Sequence, residues 1–154
     1  MKRLWNLCGI VAFWVSWPGL WFYLRGTKRT RLLLICGDEF LVVRAWLSPG
    51  YWQLTGGGLH TDEDSMVGML REVREETGVS FGPKVATLLQ SDVKHTAYGF
   101  HFTYDCYVVQ IDHKPPIKPE NGEIVGYSWL PLDHPPGALS QDITVALDLW
   151  RNHH

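Results

Sequence analysis

Charge is missing from the first part of this chain. Between Arg3 and Arg25 there is no Asp, Glu, Lys or Arg, a gap that few water-facing segments tolerate. Cysteine is scarce too. Cys8, Cys36 and Cys106 are three among 154 residues, odd in number and without the spacing of a zinc site or a disulfide framework. Each reads as a small buried hydrophobe in a reducing compartment, which favours a cytoplasmic location. No internal repeat, low-complexity tract or long linker occurs, which excludes solenoids and strings of modules. The net charge is only −2, with a pI near 6.4 and no basic stripe, so nucleic acid is not an expected partner. The length suits one domain with a real core.

What fills the uncharged stretch is apolar and aromatic. Leu4 to Leu24 contains Trp5, Phe13, Trp14, Trp17, Trp21, Phe22 and Tyr23. A helix of that length would extend about 30 Å, the thickness of a bilayer core. Arg25, Lys28, Arg29 and Arg31 follow as a basic flank, which would place a following domain on the cytoplasmic side. Pro18-Gly19 is expected to interrupt the helix, and Leu32 opens the next apolar run almost at once. No small-x-small cleavage site follows, so a signal peptide fits poorly. Three readings stay open: a span, an anchor lying on the membrane, and an aromatic arm packed on the domain or on a second copy in a homodimer.

The chemistry concentrates between Gly56 and Val79, GGGLHTDEDSMVGMLREVREETGV. Met66, Met69, Leu70 and Val73 recur at helical spacing, Thr61 or Asp62 is the expected cap, and Gly78 suits the end. Glu72, Glu75 and Glu76 fall together on another face, with Gly68 one turn before Glu72, where it leaves room. Three clustered carboxylates repel one another unless something positive sits among them. Hard oxygen donors at this spacing suit Mg²⁺ or Mn²⁺, which keep waters and take substrate phosphates as further ligands. Gly56, Gly57 and Gly58 let the backbone approach an ion or phosphate closely. Taken alone, the three glutamates also fit a solvated acidic face after a glycine turn.

The whole spacing narrows the choice. Gly57, Glu63, Arg71-Glu72, Glu75-Glu76 and Gly78 are seven fixed identities, with apolar Val73 and Val79 in register. Chance would give this set with odds on the order of one in a million or rarer. The pattern resembles the signature of the Nudix hydrolases at every fixed position. Thr55 stands where many relatives have proline, a change in turn rigidity more than in chemistry.

The remaining elements agree with that resemblance. Leu32–Cys36 reads as a buried strand and Gly37-Asp38 as a tight turn, with Phe40–Val43 as the hairpin partner. Val85–Leu89, Phe100–Gln110 and Val125–Leu130 read as further strands. In the second of these, His101, Thr103 and Asp105 alternate against Phe102, Tyr104 and Cys106 as a half-buried face. Gln90–His95 reads as a polar stretch, and Ser140 as the cap of a closing helix through Trp150. The resemblance implies an α/β fold, a Nudix-type α/β/α sandwich with a mixed sheet. It would occupy residues 31–154, behind a hydrophobic segment at 1–30.

The same resemblance implies roles. Such enzymes use a divalent metal to cleave the pyrophosphate bond of a nucleoside diphosphate linked to another group. Glu72, Glu75 and Glu76 are then the metal ligands, joined by the carbonyl of Gly56 or Gly57, with Gly56–Gly58 also meeting the phosphates. Arg71 is expected to pair with Glu63 and orient the cluster. The general base is Glu72, Glu120 or Glu123. Tyr51, Trp52, Tyr98, Phe100 and Phe102 could stack a base, though aromatics at strand spacing are commonly core. His60, His95 and His101 carry no assigned role. Two alternatives accompany the leading reading: a membrane-associated hydrolase of a lipid or isoprenoid diphosphate, and a non-catalytic nucleotide-binding module.

Overall fold

A computed structural model describes residues 2–120 and 122–153. Helix α1 (Lys2–Leu24) leads into β1 (Lys28–Cys36), which turns at Gly37 into β2 (Glu39–Ala45). Helix α2 (Ser65–Thr77) follows, then β3 (Thr87–His95), β4 (Phe102–Ile111), β5 (Ile124–Pro131) and α3 (Gln141–Asn152). The strands form one mixed sheet in the order β3-β4-β1-β2-β5. β1 runs parallel to β4, while the other neighbours are antiparallel.

The central strand shows why the sheet needs two covers. Leu33 and Ile35 point into a core shared with Phe13, Ile143, Ala146 and Leu147, from α1 and α3. Leu32 and Leu34 point the other way, to Met69 and Val73 on α2. A strand with both faces apolar must be buried on both, and the sandwich supplies both layers. The expected fold class is the observed one.

Several local expectations are revised. Pro18 lies inside α1, which runs unbroken to Leu24. A proline removes one helical N–H bond, and packing of α1 on the domain outweighs that local loss. β3 continues through the polar stretch to His95, because β4 pairs with it as far as Phe102. Its register shifts around Asp92, whose N–H donates to the Asp105 carboxylate at 3.0 Å. Asp105 is itself buried, since β4 lies inside the sheet, and it pairs with Lys28 at 3.2 Å. Of the three free cysteines only Cys106 is buried, while Cys8 is exposed on α1. β1 begins at Lys28, ahead of the strand start expected at Leu32.

Candidate active site

The glycine turn is built by its neighbours. Gly56 has φ +130°, and a Cβ there would lie 2.3 Å from the Thr30 carbonyl oxygen, so no other residue fits without moving β1. Arg31 donates to the Gly56 carbonyl at 2.6 Å, and the Thr30 N–H donates to Gly57 at 2.9 Å. Arg71 donates to the Gly58 carbonyl at 3.0 Å. The turn is thereby tied to β1 on one side and to α2 on the other.

Helix α2 starts two or three residues later than its composition suggests. Asp64 is the cap, accepting from the N–H groups of Met66 and Val67, while Asp62 sits at φ +58° in the turn before it. Gly78 closes the helix at φ +74° as expected. The room at Gly68 serves Leu59 and Glu63, since a Cβ there would meet Leu59 at 2.3 Å and the Glu63 carboxylate at 3.0 Å. It does not serve Glu72.

Arg71 is the hub of the motif. Its guanidinium bonds Glu63 twice, at 2.9 Å each, and donates to Glu72 at 2.8 Å. Glu75 lies 3.6 Å from it. The bidentate bond from Arg71, helped by the His60 N–H, holds the Glu63 carboxyl down at about 2. Glu63 therefore stays charged and fixes the guanidinium, which in turn aims Glu72.

Glu72 and Glu76 both border a cavity of about 760 Å³, together with Gly56, Gly57, Gly58, Arg29 and Arg31. Glu76 is 7% exposed and accepts the Gly56 N–H at 2.8 Å. Burial pushes its carboxyl up to about 8 against the pull of that bond and of Arg31, with the Glu72 charge adding to the rise. A Cβ on Gly57 would lie 2.3 Å from the Glu72 carboxylate, so only glycine lets this side chain reach the turn.

The expected trio is not assembled as a ready-made cage. Among the described residues, no three Asp, Glu, His or Cys side chains come close enough to hold a metal ion. Glu72 and Glu76 share the cavity, whereas Glu75 leans along the helix toward Arg71. The donor chemistry nevertheless fits a hard divalent cation. Two carboxylates meet the three-glycine turn at one cavity, and burial there raises the Glu76 carboxyl, a cost that a cation would offset. Of the candidate bases, Glu72 and Glu123 line the cavity, while Glu120 is exposed and pairs with Arg74 at 3.8 Å.

Three contributors escape the motif. Arg29 borders the cavity beside Gly58 and over the Phe102 ring, its guanidinium lowered to about 10, first by burial and then by Arg31. Arg31 pairs with buried Asp142 at 2.9 Å, and Asp142 also accepts the Leu54 N–H, so α3 braces the segment that leads into the turn. The Ser140 hydroxyl bonds Asp142 instead of capping a backbone N–H. The alternation of Arg29 and Arg31 in β1 was the available signal. Helix α1 is the third contributor, lending Phe13, Leu20, Tyr23 and Leu24 to the cavity wall. His95 also borders it, stacked on Phe102 at 4.3 Å and lowered to about 4 by burial, hence neutral.

A family model described as NUDIX domain matches residues 26–147. A MutT NUDIX hydrolase from Burkholderia pseudomallei superposes with a TM-score of 0.71 at 23% identity, over 81% of this chain and 98% of that one. The NUDIX domain of Shewanella oneidensis NrtR, solved with ADP ribose, gives 0.69 at 20% identity, over 83% and 88%. An ADP-ribose pyrophosphatase from Streptococcus suis gives 0.58 at 19% identity, over 83% and 94%. At such identities the likeness is one of fold. Comparison with curated proteins gives no match.

Proposed function

The chain belongs to the NUDIX family, a hydrolase acting on pyrophosphate bonds, and from that premise we propose that it cleaves a nucleoside diphosphate linked to another group, with Mg²⁺ or Mn²⁺ as cofactor. The observation that carries this reading is the joint placement of Glu72 and Glu76 at the glycine turn in one cavity with two arginines. Solved relatives in complex with ADP ribose, or named as ADP-ribose pyrophosphatases, point to small nucleotide derivatives as the substrate class.

Glu72 and Glu76 would hold the cation, with Glu75 completing the set and the carbonyl of Gly57 offering its second lone pair. When bound, the metal supplies charge neutralisation for the diphosphate and acidifies a water. The protein's own residues do the remainder. Arg71, fixed by Glu63, keeps Glu72 aimed at the turn. Arg29 offers a cation to phosphate oxygens that the metal does not reach. Glu72 and Glu123 are the carboxylates placed to accept the proton of the attacking water.

The test is phosphate release, coupled to a phosphatase where needed, from ADP-ribose, nucleotide sugars, dinucleoside polyphosphates and nucleoside triphosphates. It is run with Mg²⁺ or Mn²⁺ and with chelator, for wild type and Glu76→Gln. Turnover that vanishes with chelator and falls at least a thousandfold in the variant is expected. Metal-bound nucleotide without any turnover in the wild type would favour the non-catalytic module.

A second reading concerns location. Leu4, Leu7, Val11, Val15 and Phe22 form an outward apolar stripe on α1, all exposed, within a 21-residue stretch of mean hydropathy 1.5. This supports association with a lipid surface at the cytoplasmic face. The packing of the opposite side on the domain favours lying on the membrane over crossing it. Co-sedimentation with anionic vesicles, reduced by Val15→Glu with Phe22→Glu, is the expected result. A concentration-dependent dimer with no vesicle binding would instead assign the stripe to a second copy.

A further inference from the structure

The apolar amino-terminal helix and the motif carboxylates border the same cavity, and that juxtaposition bears on the substrate. Helix α1 is docked firmly on the domain. Phe13 is 6% exposed and packs edge-on against Phe100 at 6.0 Å. The Trp17 indole donates to the Tyr98 carbonyl at 3.2 Å, and the Trp46 indole donates to the Trp5 carbonyl at 3.1 Å. At Gly9 a Cβ would lie 2.2 Å from the Trp46 carbonyl oxygen, so helix and loop meet backbone to backbone. Phe13, Leu20, Tyr23 and Leu24 border the same cavity as Arg29, Glu72 and Glu76.

Two polar groups near the helix are already engaged. The Ser48 hydroxyl donates to the Ala45 carbonyl and accepts the Gly50 N–H. Asp142 is taken by Arg31 and the Leu54 N–H. A hydroxyl-rich ligand group placed against Phe13, Leu20 and Leu24 would find no hydrogen-bond partner on those side chains, which a buried site penalises steeply. An apolar chain meets no such penalty, and each methylene buried tightens binding about fourfold.

We propose that the substrate is a diphosphate carrying an apolar chain, with the diphosphate at the Arg29–Glu72–Glu76 end and the chain against the inner face of α1. This rests on the hydrolase reading and specifies the group attached to the diphosphate. The step is a hydrolysis. Water oxygen bonds to one phosphorus, the bridging P–O bond to that phosphorus breaks, the bridging oxygen leaves on the other phosphate, and a proton is released. The apolar group departs as its monophosphate. The chain can be an alkyl ester of a nucleoside diphosphate or a prenyl diphosphate, and the two share the recognised chemistry.

The test uses the full chain with Mg²⁺. One arm is a series of adenosine diphosphate alkyl esters from ethyl to hexyl, beside ADP-ribose. The other is prenyl diphosphates of five, ten and fifteen carbons. Binding is read separately, from quenching of the eight tryptophans in Glu76→Gln. Variants are Leu20→Ser and Tyr23→Ser, the latter at an exposed position that leaves folding intact. The expected result is a gain of at least tenfold in kcat/KM from the shortest to the longest chain in one or both arms. That gain should be lost in the variants through KM. Hydrolysis of polar substrates with no chain-length gain overturns the proposal and leaves the hydrolase reading standing. If nothing is hydrolysed, chain-length-dependent quenching that the α1 variants abolish still supports the site, and quenching independent of length overturns it.

Discussion

Replacing Glu63 by Gln removes one charge from the pair that fixes Arg71, and its cost can be worked from the geometry. Glu63 and Arg71 meet through two bonds of 2.9 Å, with side chains only 12% and 20% exposed. The carboxyl stands at about 2 in the folded protein against 4.5 for a free glutamate. At about 1.4 kcal/mol per pKa unit that difference would reach roughly 3 kcal/mol. Partial solvent contact screens it, so about 2 kcal/mol is the expected loss at pH 7. The sign follows from linkage. A carboxyl with a depressed folded pKa contributes fully above its unfolded value near 4.5 and loses that contribution as pH falls toward 2. Urea unfolding of wild type and Glu63→Gln at pH 7, 5 and 3 should therefore show a gap of about 2 kcal/mol at the first two. By pH 3 the gap should shrink by more than half. Other carboxylates titrate in both proteins and cancel in the difference. A gap below about 0.5 kcal/mol at pH 7, or one unchanged at pH 3, would show that Glu63 does not hold Arg71 by charge.

Other substitutions separate fold from site. Gly57→Ala places its methyl against the flexible end of Glu72, so urea stability should drop by less than about 1 kcal/mol while hydrolysis falls at least a hundredfold. Gly56→Ala meets the Thr30 carbonyl at a left-handed φ and should cost on the order of 3 kcal/mol by the same assay. Asp142→Asn leaves Arg31 buried without its counter-charge, and about 3 kcal/mol should be lost in denaturant unfolding. Asp64→Ala removes two cap bonds from α2, lowering stability by about 1 kcal/mol in thermal melts without moving the metal requirement.

The motif helix and the sheet were legible because both rest on local rules. Apolar spacing at Met66, Met69 and Val73 places α2, and double-sided apolar runs at Leu32–Ile35 and Phe40–Val43 mark the buried strands. The cap was misjudged because Thr61, Asp62 and Asp64 are all competent caps, and only the backbone of the turn decides among them. Asp62 is committed to φ +58°, which leaves Asp64 extended and free to accept. The Arg31–Asp142 brace spans over a hundred residues, and nothing local pairs those two positions. Glu75 shows the converse. Helical geometry alone puts it beside Glu72 and Glu76, yet Arg71 draws it toward the helix surface and burial draws Glu76 to the glycine turn.

Helix α1 was hidden for a different reason. A helix reveals its inner side by contrast with a polar outer side, and Leu4 to Leu24 offers no such contrast. Sequence could say that the segment leaves water, not which side goes where. Packing supplies the answer. Gly9 meets the Trp46 backbone, Phe13 and Trp17 meet Phe100, and Leu20 and Leu24 turn into the cavity. Leu4, Leu7, Val11, Val15 and Phe22 are exposed at helical spacing on the far side. An ordinary surface helix would carry charge there. Its absence leaves the outward side of α1 apolar, while the inner side packs on the domain and borders the cavity.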